Sequence, residues 1–581
     1  MRGIEIRYDT RRMKVSDYIS EFLHAQGVQY VFELVGGMIT HLVDSIHTQG
    51  KIKLVSVHHE QAAAFAADAM GRMTGMPGVA MATSGPGATN LLTGIGSCYF
   101  DSSPAVFITG QVNRSEQKGD RPIRQLGFQE TNIVAVAGLL TKAAWRIQTP
   151  EELPARLTEA FLLAQSGRPG PVLLDIPMDV QRAQITVDRP LRVMPSIAGN
   201  PNLTELFAAL AVAKRPLILA GGGVRAARAT EEFRRFMEQV RVPVVNSLMA
   251  VDVLPYVHPL RVGMIGSYGN RWANLAIGRA DLLLVLGSRL DVRQTGAMPA
   301  AFKSDRTVFH IDCDNTEINN RVTGCVPMVS HLQPFLRVAS AAATSQSWPD
   351  WSAWCKELGE LRQQWTDTEE LHDVPGINPN TLMHQISQRL KHAAGYVVDV
   401  GQHQMWAAQS LELEAHQRFL TSGGMGAMGF ALPAAIGACL SAPGQVVMMI
   451  AGDGGFQLNI QELQTITHNN LPVKLVVLNN GCHGMVRQFQ ESYFDKRYVS
   501  TYWGYSAPDF AAVARSYEME ADTVSDPVSV ERALDRMSAD KRPYLLQVMI
   551  DRSVNVYPKI AFGHPITEME PFVKPLDMEG T

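Results

Sequence analysis

"GDGGFQLNIQELQTITHNNLPVKLVVLNNG", Gly452 to Gly481, is the stretch on which the reading of this chain turns. An apolar strand, "QVVMMIA", runs into Gly452, a helix-forming segment follows, and a second apolar strand, "VKLVVLNN", ends at Asn479 and Asn480. In an open parallel sheet, ligands bind beyond the carboxyl ends of the strands, and the following helix offers free N–H groups to an anion. Gly452, Gly454 and Gly455 flank Asp453, where backbone must approach a ligand closely. A carboxylate here bridges to a diphosphate only through a divalent cation, because two anions repel, and magnesium is the ion implied. Asn480, about 27 positions on, supplies a neutral second oxygen. The plain alternative is a turn at Gly-Asp-Gly and a strand cap at Asn-Asn; the pairing, the strand context and the charge logic together favour the metal.

Working outward, 581 residues divided by roughly 150 per domain suggest three or four domains. A hydrophobic content of 46%, 19% charged residues and a net charge of −4 describe a globular enzyme, and argue against general nucleic-acid or membrane-surface binding. The six cysteines (98, 313, 325, 355, 439 and 482) form no CxxC pair, which fits a reducing compartment and a cytoplasmic home. The start "MRGIEIRYDTRRMK" lacks an apolar core and reads as a tail. The uncharged run from Leu420 to Gly452 contains Pro433, Pro443 and repeated glycines, poor material for a membrane span.

Three blocks alternate strand and helix, which predicts an α/β fold of three doubly wound parallel-sheet domains. After a tail over 1–12, the expected organisation is a first domain over 13–185, a central domain over 195–340, a linker over 341–377, a third domain over 378–565 and a C-terminal tail over 566–581. The turns "GVAMATSGPGATN" and "QVVMMIAGDGGFQLN" share one layout and suggest an internal duplication of the first and third blocks.

GDG followed by NN at this spacing resembles the binding motif of thiamine diphosphate enzymes. "VSVHHEQAAAFAADAMGR" is similar to their glutamate segment, in which Glu60 would protonate the cofactor's aminopyrimidine. His59-Glu60 is not a zinc-protease motif, since HExxH fails at Ala63. "ATSGPGATNLLTGI", "FQET", "RPGPVLLDIP", "DVGQHQMWAAQ", "TSGGMGAMGFALPAAIGA" and "LNNGCHGMVRQFQ" extend the resemblance over nearly the whole chain, to the acetolactate synthase family. "GPGATN" is no dinucleotide fingerprint, because Asn90 stands where a third glycine belongs.

The resemblance implies roles for individual residues. Pro86, Asn90, Gly401, Gln402, His403, Cys482, His483, Gly484 and Met485 would line the thiamine diphosphate, the Cys482 backbone carbonyl would be a third metal ligand, and Gly426 and Met428 would hold the aminopyrimidine. Met428 would keep the cofactor bent, which gives its internal proton transfer the benefit of proximity. Gly37 would serve the oxyanion, Phe128 and Phe489 would neighbour the substrates, and Gln129 and Lys142 would neighbour substrate or flavin. The central block resembles an FAD-binding domain, with Gly221, Gly222, Gly223, Ser247, Leu248, Met249, Met264, Gly266, Gly287, Ser288, Arg289, Asp291, Arg293, Asp312 and Cys313, and with Arg168 from the first block. The flavin would be bound without redox use.

The chemistry implied is decarboxylation of pyruvate and transfer of the two-carbon unit to a ketone acceptor, in a homodimer or homotetramer whose active site lies between subunits. Three departures bear on the acceptor. Phe489 replaces a pocket-narrowing tryptophan, Met38 stands beside Gly37, and "NRSEQKGDRPIRQLG" is a long insert carrying Arg114, Lys118, Arg121 and Arg124. A charged insert is an ordinary solvated loop or a phosphate reader. With Met178 and the ending "YPKIAFGHPITEMEPF", these features resemble the branched-chain-sugar carboligases of yersiniose formation, which implies a nucleotide-linked keto-deoxysugar as acceptor. The alternatives are acetolactate synthesis for branched-chain amino acids, a flavin-using pyruvate oxidase, and a silent relative.

Overall fold

The computed structural model describes residues 10–195, 199 and 201–577. Its backbone is organised by three parallel sheets of six strands each. The first contains β1 (Tyr30–Leu34), β2 (Lys53–Ser56), β3 (Gly78–Ala82), β4 (Ala105–Gln111), β5 (Ala143–Arg146) and β6 (Pro171–Pro177), in the order β2-β1-β3-β4-β6-β5. The second contains β7 (Pro216–Ala220), β8 (Val244–Asn246), β9 (Arg261–Met264), β10 (Leu282–Leu286), β11 (Thr307–Asp312) and β12 (Val326–Val329), in the order β9-β8-β7-β10-β11-β12. The third contains β13 (Gly395–Val398), β14 (Arg418–Leu420), β15 (Val447–Gly452), β16 (Val473–Asn479), β17 (Glu520–Val524) and β18 (Tyr544–Met549), in the order β14-β13-β15-β16-β18-β17.

Central strands such as "VMMIAG" and "VKLVVLN" are buried at every position, because helices cover both sheet faces and leave no polar side to alternate with. Numbered within each sheet, the first and third share the order 2-1-3-4-6-5. The second has the order 3-2-1-4-5-6 found in dinucleotide-binding sheets. Each chain reversal leaves a crevice at the carboxyl ends, between β1 and β3, between β7 and β10, and between β13 and β15.

The chain forms two compact units. One holds the described residues up to 195 with Gly424–Ala427 and Ile436–Ser441; the other holds the remainder, including the second and third sheets. In the first unit the helix Glu60–Thr74 buries mostly alanines, with Glu60, Phe65, Asp68 and Met70 among them, and packs so closely that a Cβ on Gly78 would meet the Ala67 carbonyl oxygen at 1.9 Å.

Three segments differ from their expected character. Within the stretch 341–377, expected as a linker, the helix Ser352–Gln364 buries Trp354, Leu358 and Leu361 in the core of the second sheet. Its polar composition hid an apolar stripe at helical spacing. The C-terminal segment from 566 is likewise packed: Ile566 and Met569 join the same core, and Met569–Glu570 pairs antiparallel with Lys559–Ile560. Residues 1–9 of the expected N-terminal tail lie outside the described residues, while Arg11–Lys14 is a strand paired with Gln184–Val187. Among the described residues no helix is long and apolar enough to cross a membrane.

Candidate active site

Within the second unit, the turns after β13, β15 and β16 bring most of the expected cofactor residues together. Asp453 follows β15, whose last residue Gly452 pairs with Leu478 of β16, so Asp453 and Asn480 leave adjacent strands. Asp453 is buried, and burial pushes its carboxyl pKa up to about 6, against hydrogen bonds from Tyr505 and from the backbone N–H groups of Gly454 and Cys482. Among the described residues it forms no ion pair. The Asn480 amide donates to Gln402 Oε1 at 3.1 Å, which fixes its orientation and turns Oδ1 toward the Cys482 N–H at 3.2 Å. The same Cys482 amide thus lies against both predicted metal-ligand side chains. Burial raises the Cys482 thiol to about 11, so at neutral pH it is uncharged and the residue offers a metal its carbonyl rather than a thiolate.

The surroundings fit a bound diphosphate and cation. His403, the second residue of the helix Gln402–Ser410, is pushed down to about 3 by burial and is therefore neutral. Its Nε2 is buried without a hydrogen-bond partner among the described residues. The glycines keep open space that side chains would fill: a Cβ on Gly452 would lie 2.8 Å from His403 Nδ1, and one on Gly454 would lie 2.8 Å from the His483 ring and 3.3 Å from Met428 Cε. Behind Gly455 the buried Asp399 carboxylate accepts the N–H groups of Val400, Gly429 and Ala431, bracing the segment that follows β14. Gly401 caps the helix that carries His403, and Gly484 starts the helix that carries Met485 and Phe489. Phe489 is half-exposed and stacks on Tyr493 and Phe494.

In the first unit, Glu60 opens its helix behind the N-cap His59 and is buried. Asn90 Nδ2 donates to Glu60 Oε2 at 2.9 Å, and the Cβ position of Gly87, in the turn opened by Pro86, lies 3.1 Å from Glu60 Oε1. Gln129 has a left-handed backbone, φ 64°, a costly conformation for a side-chain-bearing residue, and rests against Gly85 of that turn. Gly37 is exposed; the neighbouring Met38 is anchored by its N–H to Thr83 Oγ1 and by its carbonyl to Gln181. Gly426, grouped with this unit, adopts φ 66°.

Other expected substrate neighbours sit differently. Lys142 donates to the carbonyls of Leu163 and Ser166 at the end of the helix Leu153–Gln165, which gives its ammonium a capping task. Arg114 is tied to Asp179 and to the Gln148 carbonyl, so one of the four insert cations already has partners. Arg121, Arg124 and Phe128 are exposed, and the Lys118 and Leu126 amides are both held by the Glu130 carboxylate.

The residues expected at a flavin gather at the carboxyl ends of the second sheet. Gly221 to Gly223 and Gly287 to Ser288 leave β7 and β10 at the reversal point, so close that a Cβ on Gly221 would meet the Gly287 carbonyl oxygen at 2.1 Å. Ser247, Leu248 and Met249 follow β8, Met264 ends β9, and Gly266 packs on the Arg293 carbonyl. Asp291 pairs with Arg289 and caps the short helix Val292–Thr295 through the N–H groups of Arg293 and Gln294. Asp312 ends β11 and accepts the Asp314 N–H, with Cys313 between them. Arg168 donates to Ser102 in the first unit.

Sequence motifs missed two residues of this site. Tyr505, outside any motif, donates to the Asp453 carboxylate, and Gln457, within the opening stretch but given no role there, donates to the Asp453 carbonyl.

Comparison with known proteins assigns all three regions. Residues 13–136 match the N-terminal TPP-binding domain of thiamine pyrophosphate enzymes, residues 203–338 match their central domain, and residues 399–548 match their C-terminal TPP-binding domain. The chain is 36% identical to the probable acetolactate synthase large subunit of Methanocaldococcus jannaschii, over 98% of this chain and 96% of that one. It is 37% identical to acetolactate synthase isozyme 2 large subunit of Escherichia coli, over 96% and 99%. It is 35% identical to the acetolactate synthase large subunit of Lactococcus lactis, over 95% of each.

Proposed function

Because the chain belongs to the thiamine diphosphate enzyme family and is an acetolactate synthase-like enzyme that forms C–C bonds, we propose that it condenses pyruvate with a second 2-keto acid to give an acetohydroxy acid. Near full-length similarity to acetolactate synthases carries this reading, and it replaces the nucleotide-linked sugar as first choice of acceptor. The sugar reading rests on the exposed Arg121 and Arg124, the phenyl ring at Phe489, Met38, Met178 and the ending "YPKIAFGHPITEMEPF".

When bound, thiamine diphosphate supplies a nucleophilic carbon and an electron sink for decarboxylation. Asp453, Asn480 and the Cys482 carbonyl would hold magnesium, and the neutral His403, whose buried Nε2 has no hydrogen-bond partner among the described residues, would serve the diphosphate. Glu60 would exchange a proton with the bound cofactor, its carboxylate held at Oε2 by the Asn90 amide. Met428 supports the bent cofactor. The second sheet's crevice would hold FAD, a reading supported by the strand order 3-2-1-4-5-6 and the close glycine turn at Gly221, and the flavin would be bound without redox use. The enzyme works as a homodimer or homotetramer in which Glu60 of one chain serves the Asp453 site of another.

Product analysis from pyruvate alone, with thiamine diphosphate and magnesium, tests the proposal. Acetolactate as the main product is expected. Acetaldehyde or acetoin, with ligation only after a bulky ketone is added, would overturn the 2-keto acid acceptor in favour of the sugar reading.

A further inference from the structure

Asp453 has a partner 52 positions away that no motif announces. Tyr505 lies in a stretch without helix or strand, between the bridge residue Trp503 and the helix Phe510–Ser516. Its phenol donates to Asp453 Oδ2 at 3.0 Å, and its oxygen accepts the Gln457 amide at 3.3 Å. The same Gln457 nitrogen donates to the Asp453 carbonyl at 3.1 Å, which holds that amide in place. With a lone pair of the phenol occupied by Gln457, its single proton is directed to Asp453. The ring is braced edge-on by His483, at 4.5 Å between centroids and 63°, and the His483 N–H donates to the Thr501 carbonyl at 2.9 Å.

A carboxylate rotating freely about its χ2 offers a cation no fixed oxygen. We propose that Tyr505 is a positioning residue for the metal: by engaging Oδ2, and with Gln457 setting the direction of its proton, it holds the Asp453 carboxylate in one orientation and leaves its remaining lone pairs to a divalent cation shared with Asn480. The inference rests on the reading of Asp453 as a metal ligand. Hydrogen bonds to ligating groups from outside the ligand set typically change metal affinity by about 10- to 100-fold.

The test is direct Mn2+ binding, read by electron paramagnetic resonance at saturating thiamine diphosphate, on the full chain and on Tyr505→Phe, Gln457→Leu and Asp453→Ala. Tyr505→Phe keeps the ring against His483 and removes one O–H, so the thermal midpoint of the cofactor-free protein stays unchanged while the Mn2+ dissociation constant rises about tenfold. Gln457→Leu leaves the phenol but frees its proton, and gives a smaller rise in the same direction. Asp453→Ala abolishes binding at the site. Unchanged Mn2+ affinity in both Tyr505→Phe and Gln457→Leu, with binding lost in Asp453→Ala, overturns the inference and leaves the ligand reading standing. Unchanged affinity in Asp453→Ala overturns the ligand reading and the inference with it.

Discussion

The first and third sheets have the same strand order and opposite chemistry. In the first, the turn after the second strand carries Glu60 and the turn after the third carries Gly87 and Asn90. In the third, the turn after the second strand carries Gly426 and Met428, and the turn after the third carries Asp453. Each scaffold supplies the same crevice at its reversal point, and the turn residues decide what the crevice can do. The first sheet offers one carboxylate, Glu60, held by an amide, suited to moving a proton. The third offers a carboxylate beside a carbonyl-rich turn, an uncharged histidine and helix N-termini, suited to a cation and a diphosphate. The comparison teaches that one strand order supplies two platforms, whose chemistry is set by a few turn residues.

The comparison can be broken at either platform. Glu60→Gln is expected to lower kcat by about 10²- to 10⁴-fold while thiamine diphosphate and metal affinity stay near normal, because only the proton carrier is removed. Steady-state kinetics together with cofactor titration check this, and a variant with full kcat would remove Glu60 from the chemistry. Asp453→Ala is expected to act the other way, weakening metal-dependent cofactor binding by more than about 100-fold, beyond what loss of an outlying hydrogen bond costs. Calorimetric titration of the cofactor-free protein reads it.

A smaller effect sharpens the description of the first platform. Asn90→Ala removes the 2.9 Å bond to Glu60 Oε2 and should cost about 1–2 kcal/mol in kcat/KM, roughly tenfold, with little change in cofactor affinity. If cofactor affinity falls instead, Asn90 acts on the ligand directly.

The smallest effect concerns stability in the second unit, where His384 lies between Asp367 and Glu412 at 2.8 Å from each. Burial disfavours the charged ring, but the hydrogen bonds and charges of the two carboxylates outweigh it and raise its pKa above the usual 6.5. A raised folded-state value means that the protonated ring stabilises the fold fully below the unfolded pKa, about 6.5, and that this stability is lost as pH rises through the folded value. Thermal midpoints should therefore fall slightly as pH rises above about 6.5, and His384→Gln should flatten that slope. A variant that retains it would place the titrating group elsewhere.

Much of this site was legible in the chain. Glycines around Asp453, a paired Asn480 and the apolar strands before them are local features, and each survives in the fold as a strand end and a turn. Glu60 was legible only through a resemblance, since a glutamate opening a helix is ordinary. Tyr505 was not, because it reaches Asp453 from 52 positions away through tertiary packing, whereas Gln457 lies within the opening stretch, four residues after Asp453 in the same helix, and gave no sign of a role there. The 2-1-3-4-6-5 and 3-2-1-4-5-6 orders were also hidden, as strand neighbours in parallel sheets depend on crossovers rather than on local pattern. At Ser352–Gln364 a signal was present and outvoted: Trp354, Leu358 and Leu361 follow helical spacing, while the surrounding polar residues suggested a linker. Lys142 shows the limit of transfer by resemblance, for a lysine that caps a helix leaves the same mark in sequence as one that meets a substrate.

The proposed function makes one active site from two like platforms contributed by different chains. Co-expression of Glu60→Gln and Asp453→Asn proteins tests it directly, because a hybrid dimer then contains one site with both residues intact. Each variant alone should be nearly inactive, and the mixture should recover about a quarter of the wild-type rate, the statistical share when half the dimers are hybrids. A mixture as inactive as its parents, with hybrid dimers demonstrated by mass, would place Glu60 and Asp453 of the same chain in one site and contradict the account.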